Sequence, residues 1–154
     1  RPEPAATPAG RGEESRVNDA QHTAIQAYAQ DLAGRLLLRD WEVRVFRDPP
    51  YSDHAYASAE LLDSQDKVVV RLCQEFFGHS PEKQREWMTH ELTHAHFTRI
   101  QDVMDQLKEQ FPDNTATIFA KQAHHLAIEV AVQKMARLLA PHLPLPDLPP
   151  GVNY

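Results

Sequence analysis

The sequence predicts a small α+β fold: a twisted, mixed sheet of about three strands packed on a histidine-bearing helix, with two further helices completing the core. Three observations predict it. Apolar residues recur at helical spacing in long stretches at both ends of the chain body. Between those stretches lie three short runs that alternate or are β-branched. At 154 residues the chain is long enough for one domain with a real core, without staples.

Residues 1–16, rich in Pro, Ala, Gly and Glu, are expected to be a disordered tail or linker. The domain is expected over 17–140. Asn18 or Asp19 can cap a first helix running to about Leu38, with Ile25, Tyr28, Ala29, Leu32 and Leu36 on one face. "WEVRVF" (41–46) alternates and reads as a half-buried strand; "DPPYSD" follows as a loop. "AYASAELL" (55–62) reads as a second strand of small residues. "DSQD" turns the chain into "KVVVRL" (67–72), apolar and β-branched enough for an inner strand. Ser80 and Pro81 start a helix that runs through 98 and on toward 110, until "FPDN" breaks it. A last helix is expected over 115–139. Residues 141–154 are proline-punctuated and should lie along the surface as an extended arm.

A formal net charge of −6 argues against a nucleic-acid binder, which would normally show a basic stripe. The longest apolar runs fall short of a membrane span of about 20 residues, so no membrane partner is expected. A monomer is the favoured state. Cys73 is the only cysteine; it reads as a small buried residue, and any metal site must draw on His, Asp and Glu.

The stretch "WMTHELTHAHF" (87–97) concentrates the chemistry. On a helix His90 and His94 stand about 40° apart around the axis and one turn along it, so both imidazoles can grip one ion. Glu91 lies off that line, within reach of a water on the ion. Neutral imidazoles suit Zn²⁺ and leave a position for water, whose pKa the ion lowers to about 7, with the carboxylate as general base. Trp87, Met88, Leu92 and Ala95 form an apolar arc that carries the pair at its edge. His96 points to the opposite side.

A third ligand must come from elsewhere, since Asp102 and Asp105 lie about 12 Å or more beyond His94 along a helix. The last helix is apolar nearly all round, so it is expected to be central and buried. Glu129 sits in its middle, where a carboxylate is costly unless paired or metal-bound. Three roles stay open: third ligand, ion pair with Arg44 or Arg71, or a core role with His125 as the third ligand instead. Candidates for stabilising an oxyanion are Tyr51, His54, Tyr56 and His125.

With "HELTH" (90–94), a later helical glutamate and the order of three strands before the motif helix, the chain resembles the zincin metallopeptidases. Within them it is most similar to the gluzincins of the small, single-domain minigluzincin type, over roughly residues 40–140. Metzincins need a Gly and a His or Asp where this chain has Phe97 and Ile100. The resemblance implies a zincin-like sheet over the motif helix, one zinc per chain on His90, His94 and Glu129, and Glu91 as catalytic base. It implies an endopeptidase acting on peptide or protein substrates. Ala57, Ser58 and Ala59 would form the edge strand that binds an extended peptide by backbone pairing. Gluzincins often carry an acid four residues after the ligand glutamate to orient the first histidine; Gln133 stands there and its carbonyl could serve as an outer acceptor. SprT-like proteases and repressor-cleaving peptidases share the motif. A non-catalytic module with a structural zinc or none, and a latent protease masked by its own tail, are the alternative readings.

Overall fold

The structure, a computed structural model, describes residues 17–51, 55–62, 66–111 and 114–150. The expected tail (1–16), His54, most of the "DSQD" turn, the Pro112–Asp113 part of "FPDN" and the last four residues of the arm lie outside these.

Helix α1 (Asp19–Arg35) opens with a capping box. Asn18 Oδ1 accepts from the Gln21 backbone N–H at 2.9 Å, and Gln21 Oε1 accepts from the Asn18 N–H at 3.1 Å. The helix ends short of the expected Leu38. Leu37 has φ 63, a left-handed conformation that stops the helical ladder. Strands β1 (Glu42–Phe46), β2 (Ala57–Leu62) and β3 (Lys67–Leu72) form one sheet in the order β1-β3-β2. β1 runs parallel and β2 antiparallel to β3, so the sheet is mixed as expected. The β-branched third strand is the central one.

One sheet face is dry. Val43 and Val45 of β1 and Val68, Val70 and Leu72 of β3 pack with Ile25, Ala29 and Leu32 of α1 and with Met88 and Leu92 of α2 (Pro81–Thr93). The two free edges differ. On β1, Gln26 of α1 donates to the Val43 carbonyl and accepts from the Val45 N–H, both at 2.8 Å, and the His22 ring meets the Val45 carbonyl at 2.9 Å. That edge is closed by side chains. The β2 edge has no such cover from α1.

The helix begun at Pro81 does not continue unbroken. Residues His94–Phe97 tighten into a 3₁₀ turn before α3 (Thr98–Gln110). Threonine hydroxyls flank the break: Thr93 Oγ1 donates to the Thr89 carbonyl at 2.6 Å and Thr98 Oγ1 to that of Ala95 at 3.0 Å. Such back-bonding competes with the helical ladder. His96 turns away and bonds the Leu36 carbonyl at 2.8 Å.

Helix α4 (Thr115–Leu139) has its expected bounds, with Asn114 as its cap, but not its expected burial. Val132 and Ala136 are buried, while Phe119 and Leu126 are 69% and 64% exposed. A 25-residue helix is longer than the element it meets here, α2, so its apolar pattern exceeds the surface available to cover it. The arm after a 3₁₀ turn at Ala140–His142 is extended and tied down. Tyr28 donates to the Pro144 carbonyl at 3.0 Å, Arg85 to that of Leu143 at 2.9 Å, and Gln21 to that of Pro150 at 3.1 Å. Among the described residues, no helix is long and apolar enough to cross a membrane.

Candidate metal centre

The α2–α4 contact brings the motif to its third partner. His90 sits in the last turn of α2 and His94 caps it, one turn on. Their Nε2 atoms are 3.3 Å apart. From α4, the Glu129 carboxylate straddles the pair, with Oε2 3.5 Å from His90 Nε2 and Oε1 3.5 Å from His94 Nε2. The three residues are close enough to hold one metal ion, and they are the group of this kind among the described residues. The donor set suits an ion: two imidazole nitrogens and a carboxylate converge with no cation among them.

Glu129 is not at the core of a buried helix, as the sequence suggested; its side chain is 37% exposed, on the wall of a cleft. Neither arginine considered for it is its partner. Arg44 pairs with Glu42, and the Arg71 guanidinium stacks on Phe46 and Tyr51. His125 lines the same cleft, without joining the convergent three.

The cleft has a volume of about 390 Å³. Ala57, Ser58 and Ala59 of β2 form one wall, the two histidines and Glu91 the floor, and Glu129 with His125 the opposite wall. Glu91 is partly open to this space while protein packs around the rest of its carboxyl. Desolvation, aided by the nearby Glu129 charge and opposed by a hydrogen bond from the Ala59 backbone, raises its pKa to about 7. Burial holds the His94 imidazole below its ordinary pKa, with the Glu129 charge pulling the other way. A neutral imidazole is the form that binds metal.

Gln133 does not play the part expected of it. Its side chain donates to Glu86 Oε1 at 3.2 Å, leaving the buried His90 Nδ1 without a hydrogen-bond partner. Arg137 of α4 also reaches Glu86, at 3.5 Å. Tyr51 and Tyr56 are engaged elsewhere, the first on Arg71 and the second stacked on Trp87. Gln101 of α3 was not foreseen. It lines the cleft and accepts at Oε1 from the His124 ring at 3.2 Å. Its place depends on the 3₁₀ turn at His94–Phe97, which the helical spacing did not signal. Compared with protein-family models, curated proteins and solved structures, the chain matches none.

Proposed function

We propose that the protein is a zinc-dependent endopeptidase of the zincin kind, with Glu91 as its general base. One observation carries this reading: His90 Nε2 and His94 Nε2 lie 3.3 Å apart and each meets a different oxygen of the Glu129 carboxylate at 3.5 Å, with a raised-pKa carboxyl in the same cleft. Ligands about 2.0–2.1 Å from a tetrahedral zinc stand roughly 3.3–3.4 Å from one another, which is the separation of the two imidazole nitrogens, and either Glu129 oxygen would complete the set by turning toward the ion. Zinc there would act as a Lewis acid toward a peptide carbonyl and toward water.

The remaining work falls to the chain's own groups. His90 and His94 offer neutral nitrogens, and Glu129 offsets part of an ion's charge. Glu91 takes the proton of the attacking water and passes it to the leaving amine. In the metal-free chain this carboxyl titrates near 7; a bound cation would lower that value and favour the ionised form that accepts a proton. The β1 edge is sealed by Gln26 and His22, whereas on β2 the Ala59 backbone bonds Glu91 and the rest of that strand would align an extended peptide by backbone pairing. The arm residues do not line the cleft, which gives no support to masking by the described part of the C-terminal tail.

The test is zinc content and peptide hydrolysis measured together. About one zinc per chain, weaker binding in Glu129→Ala, and hydrolysis lost in Glu91→Gln with its zinc retained are the expected results. One retained zinc with no hydrolysis across a random peptide library, and a fold that collapses on chelation, would replace the enzyme with a zinc-stapled module.

A further inference from the structure

On the sheet face away from the core lies a second cleft of about 450 Å³, lined by Tyr51, Ser58, Ala59, Glu60 and Arg71. Arg71 is 9% exposed, and its Nε is buried with no hydrogen-bond partner. Its guanidinium carbon lies 4.8 Å from the Phe46 ring centroid and 4.7 Å from that of Tyr51. No carboxylate among the described residues pairs with it, although Glu60 lines the same cleft. A buried, unpaired cation is costly. The two nearby rings offset part of that cost. The N–H groups lie in its plane, where a carboxylate can dock in fork geometry.

The register says where a carboxylate would come from. Phe46, Arg71 and Ser58 are cross-strand partners, one row across β1, β3 and β2. Ser58 and Ala59 line both this cleft and the candidate metal centre, so β2 is the partition between them. A peptide added along the outer edge of β2, where Glu91 already holds the Ala59 backbone, would send alternate side chains to the two sides of that partition. A residue beside Ser58 would extend the row, two strand spacings or about 10 Å from the Arg71 backbone. An arginine and a glutamate side chain together span that gap, and the small Ser58 between them does not block it.

We propose that the Arg71 cleft is a carboxylate subsite that selects acidic peptides, a specificity-determining contact that rests on the peptidase reading above. The carboxylate is either an acidic side chain in the Ser58 row or the peptide's free C-terminus.

Two measurements test it. The first needs neither metal nor turnover. The Arg71 Nε–H resonance, assigned with Arg71→Lys, is followed by NMR in the wild-type chain during titration with three blocked or free peptides. These are acetyl-Ala-Glu-Ala-Ala-amide, its Gln counterpart, and acetyl-tetra-alanine with a free C-terminus. A shift with the Glu peptide alone assigns the side-chain source; a shift with the free acid alone assigns the C-terminus. An indifferent resonance with all three overturns the subsite. The second measurement is the kcat/KM ratio for Glu and Gln peptides with the zinc-loaded protein. It should exceed roughly tenfold, the scale of a charge-assisted pair, and fall to about one in Arg71→Met. A ratio unchanged by that substitution also overturns the proposal. A shifted resonance without hydrolysis of any peptide would keep the carboxylate subsite and sink the peptidase. Hydrolysis without acid preference would do the reverse. Should Arg71→Met fail to fold, the wild-type resonance still decides.

Discussion

Glu91 and Cys73 have ionisations displaced by their surroundings, and each displacement can be read out. The metal-free fold favours the protonated Glu91 carboxyl, because its pKa rises from 4.5 to about 7. A raised carboxyl pKa stabilises the fold below 4.5, and that contribution is lost as pH climbs toward 7. Relative to Glu91→Gln, metal-free wild-type protein should therefore lose stability between pH 4.5 and 7; denaturant melts of both across that range check it. A constant difference would mean the carboxyl is not desolvated. Burial likewise pushes the Cys73 thiol up to about 11. Its thiolate is scarce at pH 7.5, and iodoacetamide should label the native protein far more slowly than the urea-unfolded one. At this scale the motif pair was legible, because four-residue spacing on a helix dictates a shared face whatever the fold. The partner of Gln133 was not, since Glu86, which accepts from its amide N–H, comes from a helix whose approach no local pattern encodes. Arg71 was read as an inner-strand residue and a candidate ion-pair partner for Glu129, not as the centre of two stacked rings.

Helix starts were readable because caps are local chemistry: Asn18, Ser80 and Asn114 each place a side-chain oxygen on a backbone N–H of the first turn. Asn18→Ala should cost about 1 kcal/mol of unfolding free energy, measured by urea titration. Helix interruptions were not readable. The turn at His94–Phe97 depends on threonine hydroxyls choosing backbone carbonyls, which depends in turn on what packs beside them. The central position of β3 followed from its β-branched run, whereas the unlike fates of the two sheet edges followed from α1. Gln26 there serves as a surrogate strand, and Gln26→Ala leaves the Val43 carbonyl and Val45 N–H without it. A loss of about 1–3 kcal/mol is expected if water does not replace the side chain; a negligible loss in the same titration would show that the edge is solvated.

For the molecule entire, composition and pattern carried the fold class: a three-stranded mixed sheet with helices on its apolar face. They overstated the burial of α4, since a helical wheel counts apolar residues and not the surfaces that meet them. Its pairing with α2 nevertheless brings His90, His94 and Glu129 together, so binding of an ion there would be coupled to tertiary docking. An ion that binds only the docked state at about a thousandfold its dissociation constant adds about 4 kcal/mol. Zinc should raise the melting temperature and chelator should return it, with Glu129→Ala blunting both; calorimetry checks this. One more consequence follows from the hydrogen bond between Gln21, in the first turn of α1, and the Pro150 carbonyl. Among the described residues, the start of α1 and residue 150 are neighbours. A peptide loop of a few residues joining 17 to 150 would turn the polypeptide into a ring without bending the fold. Closing the ring would restrict chiefly the denatured ensemble, and a shorter list of unfolded shapes should appear as a higher melting point.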